Sequence, residues 1–123
     1  MYKAEYTPEV EALDKNQGKS DYPRYHPEVK ADMVALDKGQ RETVQRAVIK
    51  TELHPKEYGK ALGNKHGMNL TGLRRVKIRS LGIRVVYQVI SDEEGSEHVF
   101  VVAVGKREDD EVYRKAFRRY HKP

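Results

Sequence analysis

Leu73-Arg74-Arg75-Val76-Lys77-Ile78-Arg79-Ser80 is the stretch that decides the fold. Side chains of a β-strand alternate between its two faces. As a strand, this segment sends Val76 and Ile78 one way and Arg75, Lys77 and Arg79 the other. Like charges on one face repel, so sheet stability gives no reason for three cations with no acid among them. A polyanionic partner does. The next run, Ile83 to Ile90, is a strong strand signal and adds Arg84. A third apolar run, Val99 to Val104, ends in Gly105-Lys106-Arg107. Gly82 marks the first turn between these runs and Ser91 to Ser96 the second, and connections this short imply antiparallel hairpins.

Upstream, Tyr22 to His26 suits a short strand that Pro23 pushes to a sheet edge. Pro27 suits the first position of a helix, with Glu28 in its first turn. Val29, Met33 and Leu36 recur at helical spacing over about three turns. Gly39 is the expected break. A second helix follows from about Gln40 to Glu52, with Val44, Ala47, Val48 and Thr51 on one face. His54-Pro55 ends it. Lys56 to Gly72 reads as a helical turn and then a loop, anchored by Leu62 and Leu70, with Lys60, Lys65 and His66 on its surface. Downstream, Glu108 to Tyr120 reads as a helix with acid at its start and base at its end. Its expected buried stripe is Val112, Ala116, Phe117 and Tyr120. The fold class is therefore α+β: a small antiparallel sheet, an N-terminal helical hairpin and a C-terminal helix, with the helices expected on one face.

The first 20 residues stand apart. Tyr6-Thr7-Pro8-Glu9-Val10 echoes Tyr25-His26-Pro27-Glu28-Val29, and Ala12-Leu13-Asp14-Lys15 echoes Ala35-Leu36-Asp37-Lys38. The second copy runs into helical pattern and the first into the loop composition Asn16 to Ser20. The expectation is an N-terminal extension over 1–20, an edge strand or an arm, and a single domain over 21–123.

A chain of 123 residues supports one domain with a modest core. It is 37% hydrophobic and 35% charged, so its surface is dense in charge. The net charge of +5 and pI near 9.4 favour an acidic partner. The absence of cysteine excludes disulfides, thiol chemistry and thiolate metal sites. No signal-peptide run or membrane-spanning stretch is present, so the expected location is the cytoplasm. The five histidines make neither HxxxH nor HExxH, and read as surface or loop residues. No phosphate-binding glycine loop, catalytic serine triad or convincing carboxylate pair is evident. No metal and no cofactor are expected.

What remains is a basic face beside an aromatic: Arg75, Lys77 and Arg84 on adjacent strands, Arg107 after the next strand, and Tyr113 in the last helix. RNA carries its own nucleophile, the 2′-hydroxyl, and such a group can cleave it without metal. A lysine crowded by arginines loses its proton more readily, which makes Lys77 a candidate base. Arginines hold phosphate oxygens and oppose developing charge. A tyrosine can stack on an unpaired base. The charges alone leave phosphate binding and catalysis both open, and favour binding.

These residues resemble a known family, the RelE toxins of bacterial toxin–antitoxin pairs, within the RelE/ParE superfamily. The resemblance runs through Arg75-Val-Lys77-Ile-Arg79-Ser-Leu-Gly82-Ile-Arg84-Val-Val-Tyr87-Gln88-Val-Ile90, then Val104-Gly105-Lys106-Arg107-Glu108 and Glu111-Val112-Tyr113. It covers roughly 22–120 and is strongest in the second half. It implies a ribosome-dependent endoribonuclease that cuts mRNA in the A site of the 70S ribosome, leaving a 2′,3′-cyclic phosphate. By the resemblance, Lys77 is the general base. Arg84 and Arg107 stabilise the phosphate and assist the leaving group, and Tyr113 stacks on the mRNA base. Arg75 stands where the best-known member has a second active-site lysine. Arg74, Arg79 and Lys106 are read as RNA- or phosphate-binding neighbours. Residues 1–20 and the long loop from Gly63 to Gly72 depart from the pattern.

The resemblance also implies a cognate antitoxin, which covers the basic groove or displaces the C-terminal helix; the apolar stripe with Phe117 and Tyr120 reads equally as a contact for it and as a face packed on the sheet. Two alternatives stay open. One is a ParE-type inhibitor of DNA gyrase, a branch that generally lacks the catalytic set. The other is a non-catalytic RNA-binding module.

Overall fold

The computed structural model describes residues 21–65, 67–106, 108 and 110–121. The N-terminal echo, His66 and Arg107 lie outside the described residues. In chain order the elements are β1 (Arg24–Tyr25), α1 (Val29–Val34), α2 (Lys38–Leu53), β2 (Lys60–Ala61), β3 (Asn64–Lys65), β4 (Met68–Asn69), β5 (Leu73–Ile78), β6 (Ile83–Ser91), β7 (Glu97–Lys106) and α3 (Glu111–Tyr120). The main sheet has the order β1-β7-β6-β5-β2. Strands β2, β5, β6 and β7 pair antiparallel, as the short turns require, and β1 joins the β7 edge in parallel. β3 and β4 form a separate small hairpin, so the expected loop from Lys56 to Gly72 is partly ordered into strands.

The sheet is covered on both faces, which corrects the one-face expectation. Val85, Tyr87, Val99 and Val101 pack with Val29, Met33, Val44 and Val48 of the helical pair. Val86, Val102 and Ala103 pack with Val112, Tyr113 and Ala116 of α3. A bulge lets α3 seat there: between Val86 and Tyr87 the register shifts, and Val102 is the extra residue on β7. Adjacent residues Val102 and Ala103 then both join the α3 cluster.

Helix boundaries differ from the periodic pattern. α1 has six residues rather than about three turns. α2 begins at Lys38, before Gly39, because Asp37 caps it. The Asp37 carboxylate accepts from Gln40 N–H at 2.8 Å, and Gln40 Oε1 accepts from Asp37 N–H at 3.1 Å. This reciprocal box satisfies two otherwise orphan donors and outweighs the glycine as a boundary signal. The buried stripe of α3 is Val112, Tyr113, Ala116 and Arg119, with Phe117 and Tyr120 at its margin.

Asp32 sits where β1 stops and leaves the β7 edge open. Its carboxylate accepts from Val104 N–H at 2.9 Å, replacing a ladder partner. It also takes two hydrogen bonds from the Arg119 guanidinium, at 2.7 and 3.0 Å, and one from Lys115 Nζ at 3.0 Å. Arg119 donates onward to Val102 O at 3.0 Å. Side chains of α1 and α3 thus finish the strand edge, and they tie α3 to the rest of the fold.

His98 is no simple surface residue. Its ring stacks on Tyr22 at 3.7 Å between centroids, and its two nitrogens meet Glu52 at 2.6 Å and Asp92 at 2.7 Å. Burial lowers its pKa, but the hydrogen bonds to Asp92 and Glu52 outweigh it, and the net shift is upward. Asp92 is shifted down, first by its bond to His98. The sign follows by linkage. The raised histidine contributes full stability below its unfolded pKa of about 6.5 and loses it as pH rises through the folded value. The lowered Asp92 contributes above about 3.9 and fails as pH falls through its folded value. Urea midpoints from pH 5 to 9 should decline on the alkaline side for the wild type, and that decline should flatten in His98→Gln.

Candidate active site

The register of β2, β5 and β6 builds the basic face. Lys60 stands opposite Arg75, and Lys77 stands opposite Arg84. Arg75 and Lys77 are two residues apart on β5, so all four cations share one face. Directly opposed like charges destabilise a sheet, and here two such pairs are adjacent. Among the described residues, no carboxylate lies within ion-pair distance of Lys60, Arg75, Lys77, Arg79 or Arg84. Gly82, at φ +63, makes the turn that returns Arg84 alongside Lys77. A depression of about 60 Å³ is lined by Lys77, Arg79, Gly82 and Arg84, room for a small anion or a few waters.

The electrostatics act on Lys77. Its pKa is lowered, first by Arg75, then by desolvation, Arg84, Arg79 and Lys60. The side chain remains exposed, so its amine is open to a ligand. Lys60 is a member that sequence reasoning left on a loop surface. A two-residue strand has no periodicity to read, and only the register with Arg75 reveals its place.

Tyr113 closes the other side. The Arg84 guanidinium lies 5.7 Å from its ring centroid and Lys65 Nζ lies 5.1 Å from it. The tyrosine is 0% exposed, so in this state its ring offers no free face to a base. Its pKa is raised, chiefly by burial, with Arg84 and Arg75 opposing, and the phenol stays a donor at neutral pH. Tyr113 Oη, Arg75 Nε and Arg84 Nε are buried with no hydrogen-bond partner in the protein. Two of these three donors belong to cations that no carboxylate opposes among the described residues.

Not every sequence candidate joins it. Arg74 alternates to the opposite face, where its guanidinium donates to Lys56 O at 2.7 Å and also to Gly59 O, and lies 3.4 Å from Tyr87 Oη. It clamps the segment after α2 and is not presented to the basic face. Lys106 pairs with Ile83, whose side chain lies in the helical-pair core, so it too is out of phase with Lys77. Arg79 follows β5, exposed, at the rim of the depression. Arg107 lies outside the described residues. Among the described residues, no three His, Asp or Glu side chains are grouped to hold a metal ion, and no helix is long and apolar enough to cross a membrane.

Comparison with known proteins identifies the family. The family described as "ParE toxin of type II toxin-antitoxin system, parDE" matches residues 24–111. The "mRNA interferase toxin RelE" of Escherichia coli (strain K12) is 51% identical over 45 residues, 37% of this chain and 44% of that protein. The "mRNA interferase RelE" of Shigella flexneri matches to the same extent. Each alignment thus spans less than half of the relative's length. The structure of a doubly substituted E. coli RelE toxin in the free state is similar at TM-score 0.60 and 31% identity, covering 78% of this chain and 93% of that one. The same mutant toxin in complex with an antitoxin RelBc peptide gives TM-score 0.54 and 30% identity, covering 76% and 90%. The chain belongs to the RelE/ParE superfamily, the toxins of type II toxin–antitoxin systems.

Proposed function

We propose that this toxin is a ribosome-dependent, metal-independent endoribonuclease that cleaves mRNA by attack of its 2′-hydroxyl. The observation that carries this reading is two pairs of opposed cations, Lys60–Arg75 and Lys77–Arg84, on a face without acid among the described residues, with Lys77 shifted toward its neutral form. A phosphate-binding surface needs the charges. The neighbours of Lys77 also lower its pKa, the direction a general base requires.

The chemistry balances with the residues at hand. Neutral Lys77 Nζ takes the proton from the 2′-oxygen. That oxygen bonds to the adjacent phosphorus, the bond from phosphorus to the 5′-oxygen breaks, the leaving oxygen takes a proton from solvent, and the products are a 2′,3′-cyclic phosphate and a 5′-hydroxyl. Arg75 and Arg84 donate to the non-bridging oxygens, where charge accumulates in the transition state. Arg107 is assigned to the leaving oxygen by its place in the family pattern. Tyr113 stacks on the base once a ring face is freed, and its protonated phenol is an available donor.

The partner proposed is a cognate antitoxin with a segment like the RelBc peptide of the E. coli complex, and the location proposed for the pair is the cytoplasm, with the ribosome. The match to a ParE description keeps gyrase inhibition as the competing activity. Primer extension on an mRNA under active translation, run beside a gyrase supercoiling assay, separates the two. Cleavage at positions phased with the reading frame is the expected result. Intact mRNA with blocked supercoiling overturns it in favour of gyrase inhibition, and intact mRNA with RNA binding alone leaves a non-catalytic module.

A further inference from the structure

The β3–β4 hairpin has no part in the chemistry above, yet it is built into the same wall. Met68 packs in the α3 cluster, and Asn69 O lies 3.1 Å from His121 Nε2 at the end of α3. Gly63 O accepts from Leu70 N–H at 3.0 Å, and Leu70 is fully buried, which fixes the base of the hairpin to the core. From this frame Lys65 reaches over Tyr113, with Nζ 5.1 Å from the ring centroid. Among the described residues, Lys65 has no carboxylate within ion-pair distance. Its ammonium is therefore half-buried against a ring that also faces Arg84, in a site already crowded with positive charge.

Resting on the RNA-cleavage reading, we propose that Lys65 is a phosphate-binding residue of the RNA site, delivered by the β3–β4 hairpin beside the nucleotide that engages Tyr113. A cation over an aromatic face holds it less strongly than charge-assisted hydrogen bonds hold a phosphate. A base that approaches Tyr113 brings its backbone phosphate along. Lysine is a point charge on a flexible four-carbon stem, so Nζ exchanges the ring for the phosphate without moving the hairpin. The same exchange uncovers the ring for stacking. One residue thus links phosphate capture to presentation of the aromatic platform, and it sits on a segment that sequence reading takes for a loop.

Two measurements test this, on the wild type, Lys65→Met and Lys65→Arg. In single-turnover cleavage on programmed ribosomes, Lys65→Met should raise the toxin concentration for half-maximal rate about tenfold, the scale of one charge-assisted contact, with the maximal rate within about threefold. Lys65→Arg should restore most of the loss, because arginine also binds phosphate. In binding to a short single-stranded RNA followed by fluorescence anisotropy, the slope of log K against log salt should shrink by about 0.7 in Lys65→Met, one phosphate contact. The proposal is overturned if the salt slope of Lys65→Met is unchanged, or if its maximal rate falls with half-saturation unmoved. The same holds if Lys65→Arg fails to recover binding. A wild type that binds the short RNA but leaves mRNA on programmed ribosomes intact defeats the cleavage reading, while the salt slope still judges Lys65.

Discussion

Replacing Lys77 by methionine should lower mRNA cleavage on translating ribosomes by about 10²–10⁴-fold, the range of a positioned general base. The methionine keeps the length of the stem and removes the amine. Lys77 is exposed and packs in neither core cluster, so the fold should survive the change. The substitution also removes one member of an opposed like-charge pair, so stability should hold or rise slightly. A binding role alone predicts a smaller loss that more protein overcomes. The pH profile sharpens the distinction. A base whose pKa is lowered gives a rate that climbs with pH and levels off below the ordinary lysine range of about 10.4. Arg75 is the largest cause of the shift, so Arg75→Ala should move the plateau to higher pH. A Lys77→Met protein that cleaves at the wild-type rate, or an Arg75→Ala profile that stays in place, would count against Lys77 as the base.

Asp32→Ala should cost about 3–5 kcal/mol, the usual penalty for removing one partner of a buried ion pair. The carboxylate and the Arg119 guanidinium are 3% and 4% exposed, so water does not replace the lost contacts. Val104 N–H loses its acceptor at the same stroke. Domain stability is about 5–15 kcal/mol, so this is a large share of the total. The melting temperature should fall by on the order of 12 °C or more, at about 4–8 °C per kcal/mol for a domain of this size. A double substitution, Asp32→Leu with Arg119→Met, should recover part of the loss, because the buried guanidinium is then no longer left without its carboxylate, and Lys115, 19% exposed, reaches water. Urea unfolding followed by circular dichroism measures both. Additive losses in the double variant would show that the two residues act independently. The change reaches the site as well, since α3 carries Tyr113 and is pinned by this cluster.

Much of the fold is legible in the sequence because its signals are local. The alternation of Leu73 to Ile78, the apolar runs after it and the turn residues between them specify a meander without knowledge of anything distant. The errors lie where distant segments decide. The face that α3 covers depends on a bulge at Val102, which no periodicity announces. Asp32 carries no signal of its own in the sequence, and only the open edge of β7 turns it into a ladder partner. Arg74 looks equivalent to Arg75 in a run of cations, but alternation sends it to the carbonyls after α2. The Asp37-to-Gln40 spacing was available as a capping signal stronger than Gly39.

The site was legible to a different depth. Arg75, Lys77 and Arg84 share a face because strand alternation and a tight turn at Gly82 leave no other arrangement. Lys60 and Lys65 come from two-residue strands that only tertiary pairing makes visible. Tyr113 follows from its place in the pattern, whereas its complete burial on the inner face of α3 follows only from the packing. Tyr113 is covered in this structure, so the stacking role proposed for it requires a local change around Lys65 or α3.

The central claim is that the substrate supplies the nucleophile and Lys77 removes its proton. The most direct measurement uses a programmed ribosome carrying an mRNA with a single 2′-deoxynucleotide on the 5′ side of the cleaved bond, compared with the all-ribose message. Cleavage that stops at the deoxy position, together with a 2′,3′-cyclic phosphate on the fragment from the ribose message, is the predicted result. Cleavage of the deoxy message at an undiminished rate would contradict it.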